Sequence, residues 1–338
     1  MDLSASRLSL VAAAAALSTV SLPSYAEFQN RPFSVFGAFG LEHVSYSEHL
    51  KNFGGKEVDS TFTSTNLVQR SGGYTAATDN LGFFINTGST LISNEADEEW
   101  EAEGIRGNVQ EDVAAMNFQT LDVMLAYHLK TGTYLLGGMH YQKIAFSRFD
   151  WRSAAGTEAF ADSLEDYILT TPELIDPILD GVNNQRFKDQ AGNIITTLEE
   201  YFAATRFEPE ETQDVVFEDA VSFGLMAGVG FDSYFVRPMR GIRFMWELGL
   251  GTQVYENVLN SSEARALTRT FGGGIDAMGK AGVGYQFSHQ LGLMLGVDAH
   301  YSFRKEIREK VSSIKTVILP ENEFYSVASF ASVTWNFK

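Results

Sequence analysis

Cysteine is absent from the 338 residues, so no disulfide can staple the chain and its frame must come from a large sheet or core. Basic residues are scarce. Against 25 Lys and Arg stand 43 Asp and Glu, a net charge of −18 that argues against nucleic acid as a partner, since phosphate contacts need the opposite sign. No long apolar run follows the first twenty residues, which excludes helical membrane spans. Proline occurs only seven times, and every one falls where a strand would not need its missing N–H. The acidic run Asp97-Glu98-Glu99-Trp100-Glu101-Ala102-Glu103 lacks the spacing of a calcium loop, so it reads as a solvated face, and neither a metal nor a cofactor is expected.

What is present begins with an export signal. Arg7, the apolar stretch Leu8 to Val20, Pro23 and the small-x-small triplet Ser24-Tyr25-Ala26 predict a signal peptide over residues 1–26, leaving 27–338 as one domain. The negative charge of that domain is concentrated. Residues 94–112 carry eight acids against Arg106, and 150–219 carry seventeen against four bases, so the remainder is near neutral.

Period-two alternation then recurs along the chain, the pattern of a strand with one apolar and one polar face. It predicts ten strands, at 33–46, 61–76, 81–93, 115–129, 133–148, 217–235, 241–256, 270–287, 290–304 and 323–337. Most are as long as the ~9–11 residues a tilted strand needs to cross a bilayer, or longer. Short links (77–80, 130–132, 236–240, 288–289) alternate with long ones (47–60, 94–114, 149–216, 257–269, 305–322). Glycines on the polar parity, among them Gly224, Gly228 and Gly230, leave room for larger neighbours in a narrow lumen. Aromatics near strand ends, including Tyr234, Phe235, Trp246, Tyr255, Tyr285 and Trp335, suit interface girdles.

The last segment, FYSVASFASVTWNFK, alternates apolar residues and ends in an aromatic one residue before Lys338. It resembles the assembly signal of bacterial outer-membrane β-barrel proteins, and the alternation of link lengths resembles the same superfamily. The resemblance implies an all-β fold: a closed antiparallel up-and-down transmembrane barrel of about ten strands, with twelve possible if Arg186 to Ile195 extends a membrane hairpin. It also implies residence in the bacterial outer membrane, with both termini periplasmic and the long loops extracellular. Outer-membrane lipid and lipopolysaccharide would surround it, and the barrel assembly machinery would engage 323–337. Within the 149–216 insertion, Ser163 to Thr170, Pro172 to Asp180 and Thr197 to Arg206 carry helical spacing and predict a partly helical cap.

Taking the greasier parity as lipid-facing sends charged residues inward. Glu42, Asp122, His140, Arg243, Glu247, Asp276, Lys280 and Arg304 then form a mixed-sign lumen network, with Asp298 and His300 beside them. His300-x-Ser302 resembles the motif of the outer-membrane phospholipase and lipid A deacylase families, and Asp298-x-His300 resembles half of the omptin protease site. Phe303 and Arg304 stand where the phospholipase has Asn and Gly, and no Asp-x-Asp occurs in the chain to complete an omptin site. Three functions therefore stay open. The leading one is a non-enzymatic surface protein, structural or ligand-binding, whose acidic loops attract a cationic ligand or divalent ions. The second is a protease or esterase using Asp298 and His300, with Ser302 a weaker candidate. The third is a narrow or gated channel plugged by 149–216.

Overall fold

The computed structural model describes residues 33–129, 131–209, 215–236, 240–261, 266–310 and 316–337. The predicted signal peptide lies outside them. Ten strands close on themselves in the order β1(Phe33–Phe53), β14(Glu321–Phe337), β11(Leu291–Arg304), β10(Gly274–Gln286), β8(Gly241–Asn260), β7(Val216–Asp232), β6(Thr133–Ser153), β5(Gln110–His128), β3(Leu81–Ile92), β2(Lys56–Ala76) and back to β1. Every pairing is antiparallel, and β1 pairs β14 from Phe33↔Phe337 to His49↔Glu321, so no edge is left unpaired. β4(Glu95–Ala102) carries β3 onward between β2 and β5, and β9(Leu267–Thr270) pairs the far end of β8. The alternative of twelve membrane strands is not realised. Arg186 to Ile195 contributes one isolated bridge, Lys188↔Ile194, away from the barrel wall.

The barrel is polar inside and apolar outside, because alternation places each parity on one face. On β14 every even residue from Phe324 to Asn336 is buried, while Tyr325, Val333, Trp335 and Phe337 face out. Leu250 is 72% exposed and Leu295 66%, whereas Glu42, Asn66 and Gln253 are fully buried. This apolar belt covers one end of the cylinder. It includes Phe33 to Leu41 on β1, Val123 to Tyr127 on β5, Leu135 to Met139 on β6 and Leu293 to Val297 on β11. Farther along, the outward positions of β1 and β5 turn polar, as at His43, Ser45 and Ser47 or Asn117 and Gln119, while Phe217 on β7 and Leu259 on β8 stay apolar. Among the described residues no helix is long and apolar enough to cross a membrane.

At the belt end the links are tight, as expected. At the other end the structure corrects the sequence reading. The stretches 47–60 and 94–114, read as loops, are largely strand. β1 and β2 run on to a turn at Gly54-Gly55, both in the left-handed region that glycine tolerates, and β4 pairs both β2 and β5. Much of 257–269 and 305–322 is strand too, including the small hairpin β12(Ile307–Lys310) with β13(Thr316–Leu319). The acidic run is therefore a strand with a solvated outward face, and Glu98 alone of its acids is buried. In β4 Glu98 and Ala102 point inward, while Asp97, Glu99 and Glu101 alternate outward.

The insertion is helical where the spacing placed helices. α1(Thr157–Thr170), α2(Pro172–Asn183) and α3(Leu198–Thr205) follow one another, Pro172 opens α2, and a Thr197–Glu200 capping box starts α3. The cap docks on the hairpin tips. Phe160 packs with Val58, Ala102 and Val109, and Thr157 Oγ1 donates to the Val109 carbonyl at 2.7 Å. A final short helix, α4(Ser233–Val236), lies at the belt end. It removes Tyr234 and Phe235 from the predicted girdle: Phe235 packs against Tyr74, His128 and Tyr134 across the barrel floor. Trp246, Tyr285 and Trp335 remain on the outer face, as expected.

Candidate functional site

Polar groups forced into a narrow lumen must pair, because an unpaired buried charge costs several kcal/mol. From the floor toward the cap, they do so in layers. Arg243 Nε donates to Asp232 Oδ1 at 3.0 Å, and the Tyr134 hydroxyl donates to Glu247 at 2.8 Å. Lys280 lies 4.7 Å from the Phe36 ring centroid and 5.9 Å from that of Phe330, a cation resting between π faces. Next, Arg70 bridges two acids: its Nη2 donates to Glu42 at 2.7 Å and its Nε to Asp298 Oδ2 at 3.1 Å. Beyond these, His140 Nδ1 lies 2.6 Å from Asp122, and Arg304 donates to Asp276 at 2.8 Å and to Gln142 at 3.1 Å.

An apolar plug seals the lumen past the belt. Val44, Tyr46, Phe62, Met116, Phe118, Phe146 and Phe324 form one buried cluster. Above it sits a second ionic knot. Arg148 bonds Glu98 through Nε at 2.6 Å and Nη2 at 3.0 Å, and its Nη2 also reaches Glu48 at 3.0 Å. Asp112, opposite Glu98 in the register, has no cation to itself. It lies past the apolar belt, where burial, aided by the Glu98 carboxylate, pushes its pKa up to about 8. Glu218, on the same knot, is raised to about 7 by burial and by Glu48. One arginine thus serves several carboxylates, and a proton makes up the deficit.

The structure brings Asp298, His300 and Ser302 into one lumen without making them a relay. Both Asp298 oxygens are taken by Arg70, at 3.1 and 3.4 Å. Neither His300 ring nitrogen has a hydrogen-bond partner among the described residues, and its ring lies against Phe118, Phe324 and His140. Ser302 is 2% exposed. A nucleophile, its base and the base's orienting group must be within hydrogen-bond reach of one another, and here they are not. A void of about 90 Å³ in the lumen touches Asp298, His300, His140, Asp122, Lys280 and Phe118.

Every residue of the expected network is found inside, but Arg70, its central cation, was missed. On β2 the even parity (Phe62, Val68, Tyr74) is the greasier, so the sorting rule sends Arg70 toward lipid. The observation that no arginine can sit there unpaired was the available signal for reversing that strand. Glu98 and Asp112 were missed because the hairpin extensions were read as loops, and Arg148, the last residue of the strand expected over 133–148, was left out of the network although it shares the parity of His140.

No family model matches the chain, and no curated protein matches it in sequence. Solved structures do. The outer membrane protease OmpT from Escherichia coli matches over 94% of this chain and 99% of its own, at 8% identity and a TM-score of 0.53. This chain has the fold of the bacterial outer-membrane β-barrels. The translocator domain of the autotransporter NalP from Neisseria meningitidis (11% identity, 97% of each chain, TM-score 0.34) also matches. So does the outer membrane protein OprG from Pseudomonas aeruginosa (8% identity, 91% of this chain and 97% of its own, TM-score 0.31). At such identities the likeness concerns fold alone, and activity has to be argued from this barrel's own residues.

Proposed function

We propose that this outer-membrane barrel is a non-enzymatic surface-recognition protein that presents its cap outside the cell and takes a cationic ligand with an apolar portion. The supporting observation is a groove of about 470 Å³ on the cap, walled by Leu169, Leu198, Phe202 and Ala203 and bordered by Glu165, Glu199 and Arg206. Apolar lining with a few fixed charges is the make-up of a ligand site. The described cap, residues 154–209, holds eleven acids against three bases, and Arg206 is already held by Glu158 at 2.8 Å and Asp162 at 2.8 Å. Its field favours cations.

Binding is favoured over hydrolysis because Asp298 is occupied by Arg70 and His300 has no orienting partner. It is favoured over conduction because layered ion pairs and an aromatic plug fill the bore. In the same reading, residues 1–26 are removed at export, the assembly machinery takes up 323–337, and lipid and lipopolysaccharide contact the belt.

The test is titration of the refolded barrel with a synthetic Lys/Leu peptide. Wild type binds with an affinity that falls as salt rises, and Glu165→Gln/Glu199→Gln weakens it about tenfold or more, on the order of two interfacial charge contacts. Equal binding by a chain lacking 154–209 would overturn the proposal.

A further inference from the structure

His140 on β6, Asp276 on β10 and His300 on β11 converge inside the lumen, each offering one ligand atom, with all three atoms within 4.8 Å of one another. Three ring nitrogens of this cluster are buried without a hydrogen-bond partner among the described residues: Nε2 of His140 and both nitrogens of His300. A buried polar atom left unpaired costs about 1–3 kcal/mol, so three in one place call for a common explanation.

The surroundings prepare these atoms to bind a cation. Asp122 lies 2.6 Å from His140 Nδ1, and since an ionised carboxylate only accepts, Nδ1 carries the proton and Nε2 keeps its lone pair. A carboxylate behind a histidine, fixing ring and tautomer, is the usual support of a metal-bound imidazole. Arg304 donates to Asp276 Oδ1 at 2.8 Å, which steers this carboxylate and leaves its other oxygen for a ligand. The 90 Å³ void beside His140 and His300 has room for water at an open coordination position.

We propose that His140, Asp276 and His300 bind a zinc-class divalent ion in the lumen, with water completing the coordination. Two imidazoles and one carboxylate suit zinc, whereas calcium and magnesium prefer six or more oxygens. Tetrahedral donors about 2.0–2.1 Å from zinc lie about 3.3 Å apart, so side-chain rotations closing at most about 1.5 Å assemble the site. The ion would tie β6 to β10 and β11, three and four strands away around the barrel, in a chain that has no cysteine for a disulfide staple.

The experiment loads the refolded full chain, stripped with chelator, with CoCl2 and separately with ZnCl2, then counts bound metal after gel filtration. Wild type retains one ion per chain and shows the strong visible absorption of a four-coordinate cobalt centre. His140→Asn and His300→Asn abolish both signals, and Asp122→Asn weakens retention about tenfold. Heat-modifiable migration on gels reports whether each variant folds. If one does not, the wild-type spectrum decides. Weak six-coordinate absorption from wild type, or metal retained equally by a folded His140→Asn/His300→Asn chain, would place the ion on the acidic cap and overturn the proposal, as would a wild-type chain that retains none.

Discussion

Arg70 and Asp298, 228 residues apart in the chain, meet across the lumen through Nε and Oδ2 at 3.1 Å, with Glu42 on the arginine's other nitrogen. This bridge turns the residue that most suggested chemistry into half of a structural ion pair. It also ties β2 to β11, which are neighbours only through β1 and β14.

Removing the cation alone should be worse than removing the whole cluster. Arg70→Met strands Glu42 and Asp298 as buried charges and should cost about 3–5 kcal/mol of stability in urea titrations of the detergent-refolded barrel. Arg70→Met/Glu42→Gln/Asp298→Asn should recover most of it. A triple variant as unstable as the single one would show that packing of the Arg70 stem, not charge, is what matters.

The Asp112 knot makes stability depend on pH with a definite sign. Its folded pKa, about 8, lies above the ordinary carboxyl value of 3.8, so the folded chain holds the extra proton and the unfolded chain does not. Its contribution is therefore fully present below about pH 4 and declines as pH rises toward 8. Asp112→Asn keeps a neutral side chain at every pH. The stability difference between variant and wild type should widen in the variant's favour as pH rises from about 5 to about 8. A difference that stays flat across that range would mean Asp112 is ionised throughout.

Conduction separates a plug made by the cap from a bore closed by its own side chains. Phe118 and Phe324, with ring centroids 4.7 Å apart, close the lumen without help from residues 154–209. Planar bilayers carrying intact chain should show no steady conductance, and deleting 154–209 should leave them silent. Ohmic current appearing only after the deletion would identify the cap as the gate.

Glycine on the lumen parity makes space for an aromatic ring. At Gly230 an added Cβ would meet Tyr134, with its hydroxyl oxygen at 2.7 Å, and that hydroxyl bonds Glu247. Gly230→Ala should displace the ring and cost about 1–3 kcal/mol, as overpacking does. Gly230→Ala/Tyr134→Phe should cost less than the sum of the separate changes, because the two act on one contact. Strict additivity would break the link between them.

The sequence by itself determined the inverted barrel, because alternation is a local property. Leu293, Leu295 and Val297 must share one face whatever the rest of the chain does, and ten such segments with tight links at one end leave few other closures. It also placed the three cap helices and the polar parity on which Asp298 and His300 lie. Tertiary structure alone decided which charge meets which. On β2 the greasier parity turns inward, against the rule that sorts the other strands, so Arg70 became an inward residue only when its neighbours β1 and β3 fixed its register. The extension beyond the belt was equally hidden. Glu98 in an isolated acidic run favours water, and it becomes a buried strand residue only because β2 and β5 supply backbone partners and Arg148 supplies the charge. Pairings of this kind join residues far apart in sequence, and no local pattern encodes them.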